Sequence, residues 1–273
     1  MIQFTEQGHK YESITPDDIQ WVGVTTLIHK FVEPFDQEAK AAKCSVRKPG
    51  KYANKWYGYT PQEIIAAWNN ESNRAVELGH WYHSKIENEL YNSGDVKVIR
   101  PVMSNGIKYA PIQKLSDGIY PEHMVYLESV GICGQSDIVE VRDGKVHITD
   151  HKTSKEIKRK GFTNWEGITT KMLKPVQHLD DCEFNTYTLQ LSIYMYIILR
   201  HNPLLVPGDM IINHVKFVQA GVDKFDYPIA LIVDGEPVVE SIERIEVPYL
   251  QKEVQAIIAW LKEPKNKQSL IKH

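Results

Sequence analysis

The chain has 273 residues, with 32 Lys+Arg, 35 Asp+Glu and 11 His, for a formal net charge of -3. Its 42% hydrophobic and 10% aromatic residues suffice for a large core, which excludes a disordered chain and fits one elaborated domain. Cys44, Cys133 and Cys182 lie far apart and never in a CxxC spacing, which excludes a disulfide framework, a zinc knuckle and a four-cysteine iron–sulfur cluster.

The opening MIQFTEQGHKYESITPDD is polar and acidic, and no apolar run approaches the roughly 20 residues that span a bilayer. A soluble, intracellular (cytoplasmic) protein without a membrane partner is expected. Residues 25 to about 42 read as a helix broken near Pro34. Thr60-Pro61 opens a long helix to about Tyr91, with Thr60 as N-cap, Pro61 in the first position, Gln62 and Glu63 in the first turn, and Asn92-Ser93-Gly94 at its end. Between residues 121 and 153 the pattern changes to short β-branched runs. Residues 183–201 return to helical spacing before Pro203, residues 211–218 and 225–233 read as strands, and residues 248–262 as a closing amphipathic helix. The order helix, strands, helix, strands, helix predicts a single mixed α/β domain, in which the irregular residues 154–183 are long enough to be functional.

Net charge hides two basic tracts. From Ala39 to Lys55 there are Lys40, Lys43, Arg47, Lys48, Lys51 and Lys55 without an acid, followed at once by Trp56, Tyr57 and Tyr59. From Lys152 to Lys174, seven basic residues face only Glu156 and Glu166, a local charge of +5. Phosphate backbones bind such patches, and unpaired bases stack on such aromatics. Lys43, Arg47, Lys48 and Lys51 are therefore candidate phosphate contacts, and Trp56 and Tyr57 candidate stacking platforms.

The stretch GQSDIVEVRDGKVHITDHKTS reads as a hairpin about Asp143-Gly144, a two-residue turn that tolerates positive φ at both positions. That turn pairs Arg142 with Lys145 and makes opposed residues sum to 287, which sets Asp137 opposite Asp150 with Cβ atoms roughly 5 Å apart. Alternation then puts Val139, Val141, Val146, Ile148 and Lys152 on the face of both aspartates, with Glu140, Arg142, Lys145 and His147 opposite. Two adjacent carboxylates on a half-buried face repel each other, and a divalent cation relieves them. Aspartates and the His151 carbonyl are hard oxygen ligands suited to Mg²⁺ or Mn²⁺, and Lys152 can hold an attacking water or offset charge on a phosphorus centre. A plain Lys152–aspartate salt bridge is the structural alternative.

The hairpin resembles the core of the PD-(D/E)XK nucleases, specifically the RecB-like branch: G-x-x-D, a turn, an apolar pair, then D-x-K-T, here Gly134, Asp137, Ile148, Asp150, Lys152 and Thr153. Gly79-His80-Trp81-Tyr82-His83 upstream is similar to the branch's G-x-x-x-H, with Glu87 one turn beyond, and Gln190-Leu-Ser-Ile-Tyr194 downstream to its Q-x-x-x-Y helix. Thr25-Thr26-Leu27-Ile28, Pro34-Phe35-Asp36 and the basic tract resemble phage-type and mitochondrial genome maintenance exonucleases of this branch. The resemblance implies a restriction-endonuclease-like core, a central sheet flanked by helices, over about residues 61–235, with residues 1–60 a helical, basic elaboration that contacts DNA. It implies Mg²⁺ or Mn²⁺ at Asp137 and Asp150 with the His151 carbonyl, completed by His83 and by Glu122, for which Glu128 is the competitor. It also implies that Lys152 activates water, that Gln190 and Tyr194 orient Lys152 or the scissile strand, and that Thr153 and Lys155 contact substrate. The implied activity is a metal-dependent deoxyribonuclease, an exonuclease on DNA ends or single strands in replication, recombination or repair, without an iron–sulfur cluster. A structure-specific endonuclease, an inactive nuclease fold serving as a DNA-binding scaffold, and a small-molecule metallohydrolase are the alternatives, and the basic tracts speak against the last.

Overall fold

A computed structural model of the chain describes residues 2–5, 10–14, 19–48, 54–94, 97–104, 107–110 and 113–266. The chain begins in strands, where the sequence pattern predicts helix first. β1 (Ile2–Thr5) and β2 (Lys10–Ser13) pair antiparallel, and Ile2 and Phe4 of β1 point into an apolar cluster. Four residues in a polar context carry too short an alternation to be read without their partners. The two-residue β3 (Val22–Gly23) leads into α1 (Val24–His29), and α2 (Gln37–Val46) follows the expected break at Pro34, capped by Asp36.

The long helix α3 (Pro61–Asn92) starts where the capping residues place it: Thr60 and Glu63 form a reciprocal capping box with Pro61 at the first helical position. β4 (Val102–Ser104) and β5 (Ile107–Ala110) complete a small sheet of order β2-β1-β5-β4. β6 (Gly118–Leu127), β7 (Ile132–Arg142) and β8 (Lys145–Lys152) form an antiparallel meander, α4 (Glu183–His201) crosses over, and β9 (Val206–Phe217) returns parallel to β8. Two short hairpins, β10 (Gln219–Val222) with β11 (Pro228–Ala230) and β12 (Ile232–Val233) with β13 (Glu236–Pro237), replace the single strand expected over residues 225–233. β14 (Val239–Glu246) then joins β9 in the main sheet, and α5 (Gln251–Leu261) packs on α4, so the core extends beyond residue 235. The main sheet is six-stranded and mixed, which makes the protein a mixed α/β fold. Among the described residues no helix is long and apolar enough to cross a membrane.

One edge of β7 has two neighbours in succession. β3 pairs in parallel with Ile132 and Cys133, and β8 takes over only from Ile138. Residues 134–137 lie in the gap between them. Both helices close on that gap: Tyr194 of α4 leaves no room for a side chain at Gly134, where an added Cβ would stand 2.7 Å from the ring. Gly79 of α3 approaches Thr153 less tightly, its missing Cβ lying 3.3 Å from the Thr153 hydroxyl.

The N-terminal aromatics pack inward. Trp56 is buried with Ala41, Ile64 and Ala67, and its ring meets those of Tyr59, Trp68, Phe225 and Tyr227. Lys55, from the first basic tract, lies over Trp56 and Tyr227 and donates to the Phe225 carbonyl at 2.6 Å. Trp56 therefore cannot serve as the stacking platform expected from its neighbours, because both the α2–α3 pair and the β10–β11 hairpin cover it. Trp56→Ala should cost about 3–5 kcal/mol of stability through the cavity it leaves, and calorimetry should show a lower melting temperature whether or not nucleic acid is present.

Candidate metal centre

The β7–β8 ladder has the register that the Asp143-Gly144 turn dictates: all five pairs, from Arg142–Lys145 to Ile138–Thr149, sum to 287. It stops one pair short of the aspartates. Beyond Thr149 the backbone N–H of His151 donates to Asp137 Oδ2 at 2.7 Å, so a carboxylate stands where the next strand carbonyl would. On the other side of β7 the β6 pairs sum to 259, which sets Glu122 opposite Asp137. Three adjacent strands thus bring three carboxylates, Glu122, Asp137 and Asp150, together where the β7–β8 ladder ends and midway along β6.

Alternation alone misplaces Asp137. Val139 and Val141 enter the main core, but earlier in β7 it is Ile132 that does so, while Cys133 enters the second cluster. β6 changes phase likewise, with Tyr120 and Val125 in the main core and Met124 and Tyr126 in the second cluster. The shift is made at Glu122, whose φ of 49° is left-handed in mid-strand, a conformation that non-glycine residues adopt at a cost. Consecutive residues Asp137 and Ile138 consequently line one small cavity of about 10 Å³ facing α3, together with His83, Ile86, Glu87, Leu90, Glu122 and His151. Asp150 stays with Val146 and Ile148 on the core side, as alternation requires.

His83 reaches this cavity from α3. Its Nδ1 lies 3.4 Å from Asp137 Oδ2 and 3.7 Å from Glu122 Oε1, and its Nε2 lies 3.1 Å from the His151 carbonyl. One ligand atom each from His83, Glu122 and Asp137 fall within 4.8 Å of one another. The ligand cluster therefore centres on His83, Glu122 and Asp137, where the sequence centres it on Asp137 and Asp150. Glu128, the competitor to Glu122, is exposed in the turn after β6, at the far end of the strand. Glu122 also accepts a short hydrogen bond from Gln135, and buried Lys108 adds its field. Glu87 accepts from the Tyr91 hydroxyl at 2.9 Å instead of reaching the ligands.

Asp150 is 2% exposed, and the Lys152 ammonium stands 2.7 Å from its Oδ2. Otherwise that oxygen has no hydrogen-bond partner among the described residues. Lys152 also lies 4.8 Å above the Tyr187 ring of α4. Gln190 donates to the Tyr194 hydroxyl at 3.0 Å, so this pair forms a fixed wall behind Gly134, and among the described residues no hydrogen bond joins either side chain to Lys152. His214 of β9, paired with Lys152 in the sheet, holds the Ser154 carbonyl at 2.6 Å and pins the chain as it leaves the strand. Thr153 and Lys155 line a separate cavity of about 150 Å³ with Arg74 and Lys216. Lys43, Arg47, Lys48 and Tyr57 are exposed, and Lys51 lies outside the described residues.

Crowded charge governs protonation here. Burial, then the neighbouring Asp150, push Asp137 up to about 7, against the opposing fields of His83 and Lys152. Burial favours neutral His83, but Glu122, Asp137 and Asp150 outweigh it and raise its pKa from 6.5 to about 9. Glu122, which burial would raise, is held below the usual range chiefly by His83 and Lys108. Burial likewise pulls on Lys152, yet Asp150 and Asp137 leave its pKa above the ordinary lysine value. His151 is kept neutral, mainly by burial and by His83, with a pKa near 4.

Gln135, Lys108, Tyr187 and His214 escape sequence reasoning, since each joins the site through sheet pairing or a helix face and none stands in a recognisable spacing. No protein-family model matches the chain, and no curated protein matches it closely enough to be a relative.

The clustered charges set a pH dependence. A histidine whose folded pKa is raised stabilises the fold fully below its free value, and that contribution is lost as pH rises through the folded value. For His83 the window is 6.5 to about 9, and Asp137, raised to about 7, adds the same sign in its lower part. His151 is already neutral there. The melting temperature of metal-free protein should fall across this window, His83→Gln should flatten the fall, and added Mn²⁺ should restore most stability at its alkaline end. A melting temperature that climbs with pH would contradict the charge cluster.

Proposed function

We propose that the protein is a metal-dependent deoxyribonuclease of the RecB-like PD-(D/E)XK type, acting on DNA ends or single strands as an exonuclease. The convergence of Glu122, Asp137, Asp150 and Lys152 where the β7–β8 ladder ends, faced by His83 from α3, carries this reading. The donor set fits a divalent cation: two carboxylates and an imidazole gather within ligand distance, and a third, buried carboxylate has lysine as its only partner among the described residues. Glu122, Asp137 and His83 would hold Mg²⁺ or Mn²⁺, with Asp150 and the His151 carbonyl beside them. A cation held there would supply an acidified water and neutralise charge on the scissile phosphate.

The protein's own groups divide the remaining work. Lys152, kept as ammonium by the aspartates, donates to the attacking water or a phosphate oxygen and does not serve as a base while that charge persists. His214 and Gly79 fix the backbone and side chain of residues 153–154 and so hold Lys152 in line. Gln190 and Tyr194 keep the wall of the gap rigid, and Tyr194 stays protonated through burial.

The basic tract favours a polymer over a small substrate. α2 packs where Ile64 and Ala67 of α3 meet Ala41, 16 or more residues before His83. At 1.5 Å per residue that is about 25 Å along the axis. Exposed Lys43, Arg47 and Lys48 lie in and just after α2, suited to the phosphates of an extended strand and beyond the reach of a small molecule at His83. An inactive DNA-binding scaffold is disfavoured by the retention of every charged group where the β7–β8 ladder ends.

Digestion of end-labelled linear and circular DNA tests the reading. Cleavage should require Mg²⁺ or Mn²⁺ and vanish in EDTA, and Asp137→Asn and Lys152→Met should each lower the rate by at least about 10²-fold. Cleavage that persists in chelator sinks the mechanism, and binding without any cleavage favours the scaffold. Neutralising two of Lys43, Arg47 and Lys48 should weaken binding to any sequence and flatten its log–log salt slope by roughly one unit per lost contact.

A further inference from the structure

Residues 154–183, between Lys152 and α4, carry a feature that the metal centre does not use. Within seven residues, Trp165 is 92% exposed, Phe162 76% and Ile168 62%. Single exposed apolar residues are ordinary, but three large ones together on one projection mark a contact surface.

The projection is built to hold them out. Residues 162–170 form a hairpin in which Thr170 N–H donates to the Phe162 carbonyl at 2.8 Å and Asn164 N–H to the Ile168 carbonyl at 2.9 Å. The Thr163 and Thr169 hydroxyls meet across it at 2.9 Å. At the tip the Asn164 side-chain oxygen accepts from the backbone N–H of both Glu166 and Ile168, at 2.9 Å each, and Gly167 takes the left-handed φ of 80° that closes the turn. Below, Gly161 N–H donates to Asp180, and Lys171 is paired with the same carboxylate. Trp165 thus sits on a fixed mount, so little ordering entropy opposes its engaging a flat partner.

Position and charge identify that partner. The stem is tied to the start of α4, where Phe184 N–H donates to the Lys158 carbonyl at 3.0 Å, and one turn on, Tyr187 lies under the Lys152 ammonium. The segment that carries the hairpin is therefore anchored beside Lys152. Lys155, Arg159, Lys160 and Lys174 are exposed on the segments that flank it in sequence, against exposed Glu156 and, at the tip, Glu166. An aromatic prong on a segment of net positive charge suits bases stacking above and phosphates tracking below, which is how sequence-neutral single-strand binding is built.

We infer that the 162–170 hairpin is a base-stacking prong, on which Trp165, seconded by Phe162, receives unpaired nucleobases of the strand being fed to the metal centre. The inference rests on the nuclease reading and names its substrate: a single-stranded or frayed end. A fully paired duplex offers Trp165 at most a terminal base pair.

The test measures affinity for a single-stranded thymidine oligonucleotide in the Lys152→Met background, which keeps the strand intact, with cleavage followed separately in otherwise wild-type protein. Trp165→Ala should weaken single-strand binding by about 5- to 150-fold, with an unchanged salt slope and unchanged melting temperature, and Trp165→Phe should recover most of the loss. Affinity for a closed duplex without ends should not move. Unaltered single-strand affinity of Trp165→Ala alongside normal metal-dependent cleavage overturns the prong and leaves the nuclease reading intact. An equal loss on closed duplex also overturns it, since stacking on unpaired bases cannot act there. If wild-type protein neither binds nor cleaves DNA, the prong and the nuclease reading fall together.

Discussion

Mutual repulsion of three carboxylates crowded where one strand ladder ends is the constraint around which the molecule is organised. Glu122, Asp137 and Asp150 lie on adjacent strands, and the register of the flanking pairs together with the His151–Asp137 contact brings them together. Buried like charges cost several kcal/mol unless opposed. Three cations oppose them: His83 from α3, Lys108 from β5 and Lys152 from the end of β8. The resulting pKa shifts, upward for His83, Asp137 and Lys152, are the signature of groups held together by the fold against their own electrostatics.

The backbone gives way where those charges meet. β7 loses its neighbour on one edge over residues 134–137, and Glu122 takes a left-handed conformation that moves the pleat by one residue. The interruption turns Asp137 toward α3 while Asp150 remains on the core side. A regular ladder would keep both on one face and leave His83 without a carboxylate to meet. Local strain at a cluster of titratable groups is the usual mark of a site selected for chemistry over stability.

Three sequence motifs that lie far apart are joined here by two close contacts. Gly134 admits Tyr194, where a side chain would collide, and Gly79 gives Thr153 room that an added Cβ would tighten. The helix bearing His83 is thereby locked to the strand bearing Lys152, and the helix bearing Gln190 and Tyr194 to the strand bearing Asp137. Glycine at these positions serves close approach, since neither adopts a positive φ.

By itself the sequence determined whatever depends on neighbours along the chain. The Thr60-Pro61 cap placed the start of α3, the Asp143-Gly144 turn set the register of β7 and β8, and the 19 residues of α4 showed in their apolar spacing. Turn chemistry and helix capping act over two to four residues, so their outcome is written locally. Tertiary structure decided what requires distant segments to meet. It set residues 2–5 between residues 10–13 and β5 in one sheet, and split the expected strand at 225–233 into hairpins. It buried Trp56 beneath aromatics more than 160 residues away, where the chain around it reads as an exposed basic tract. Asp137's turn toward His83 belongs to the same class, because the face a strand residue occupies follows from alternation only while the ladder is unbroken, and here the break is made by a residue on the neighbouring strand.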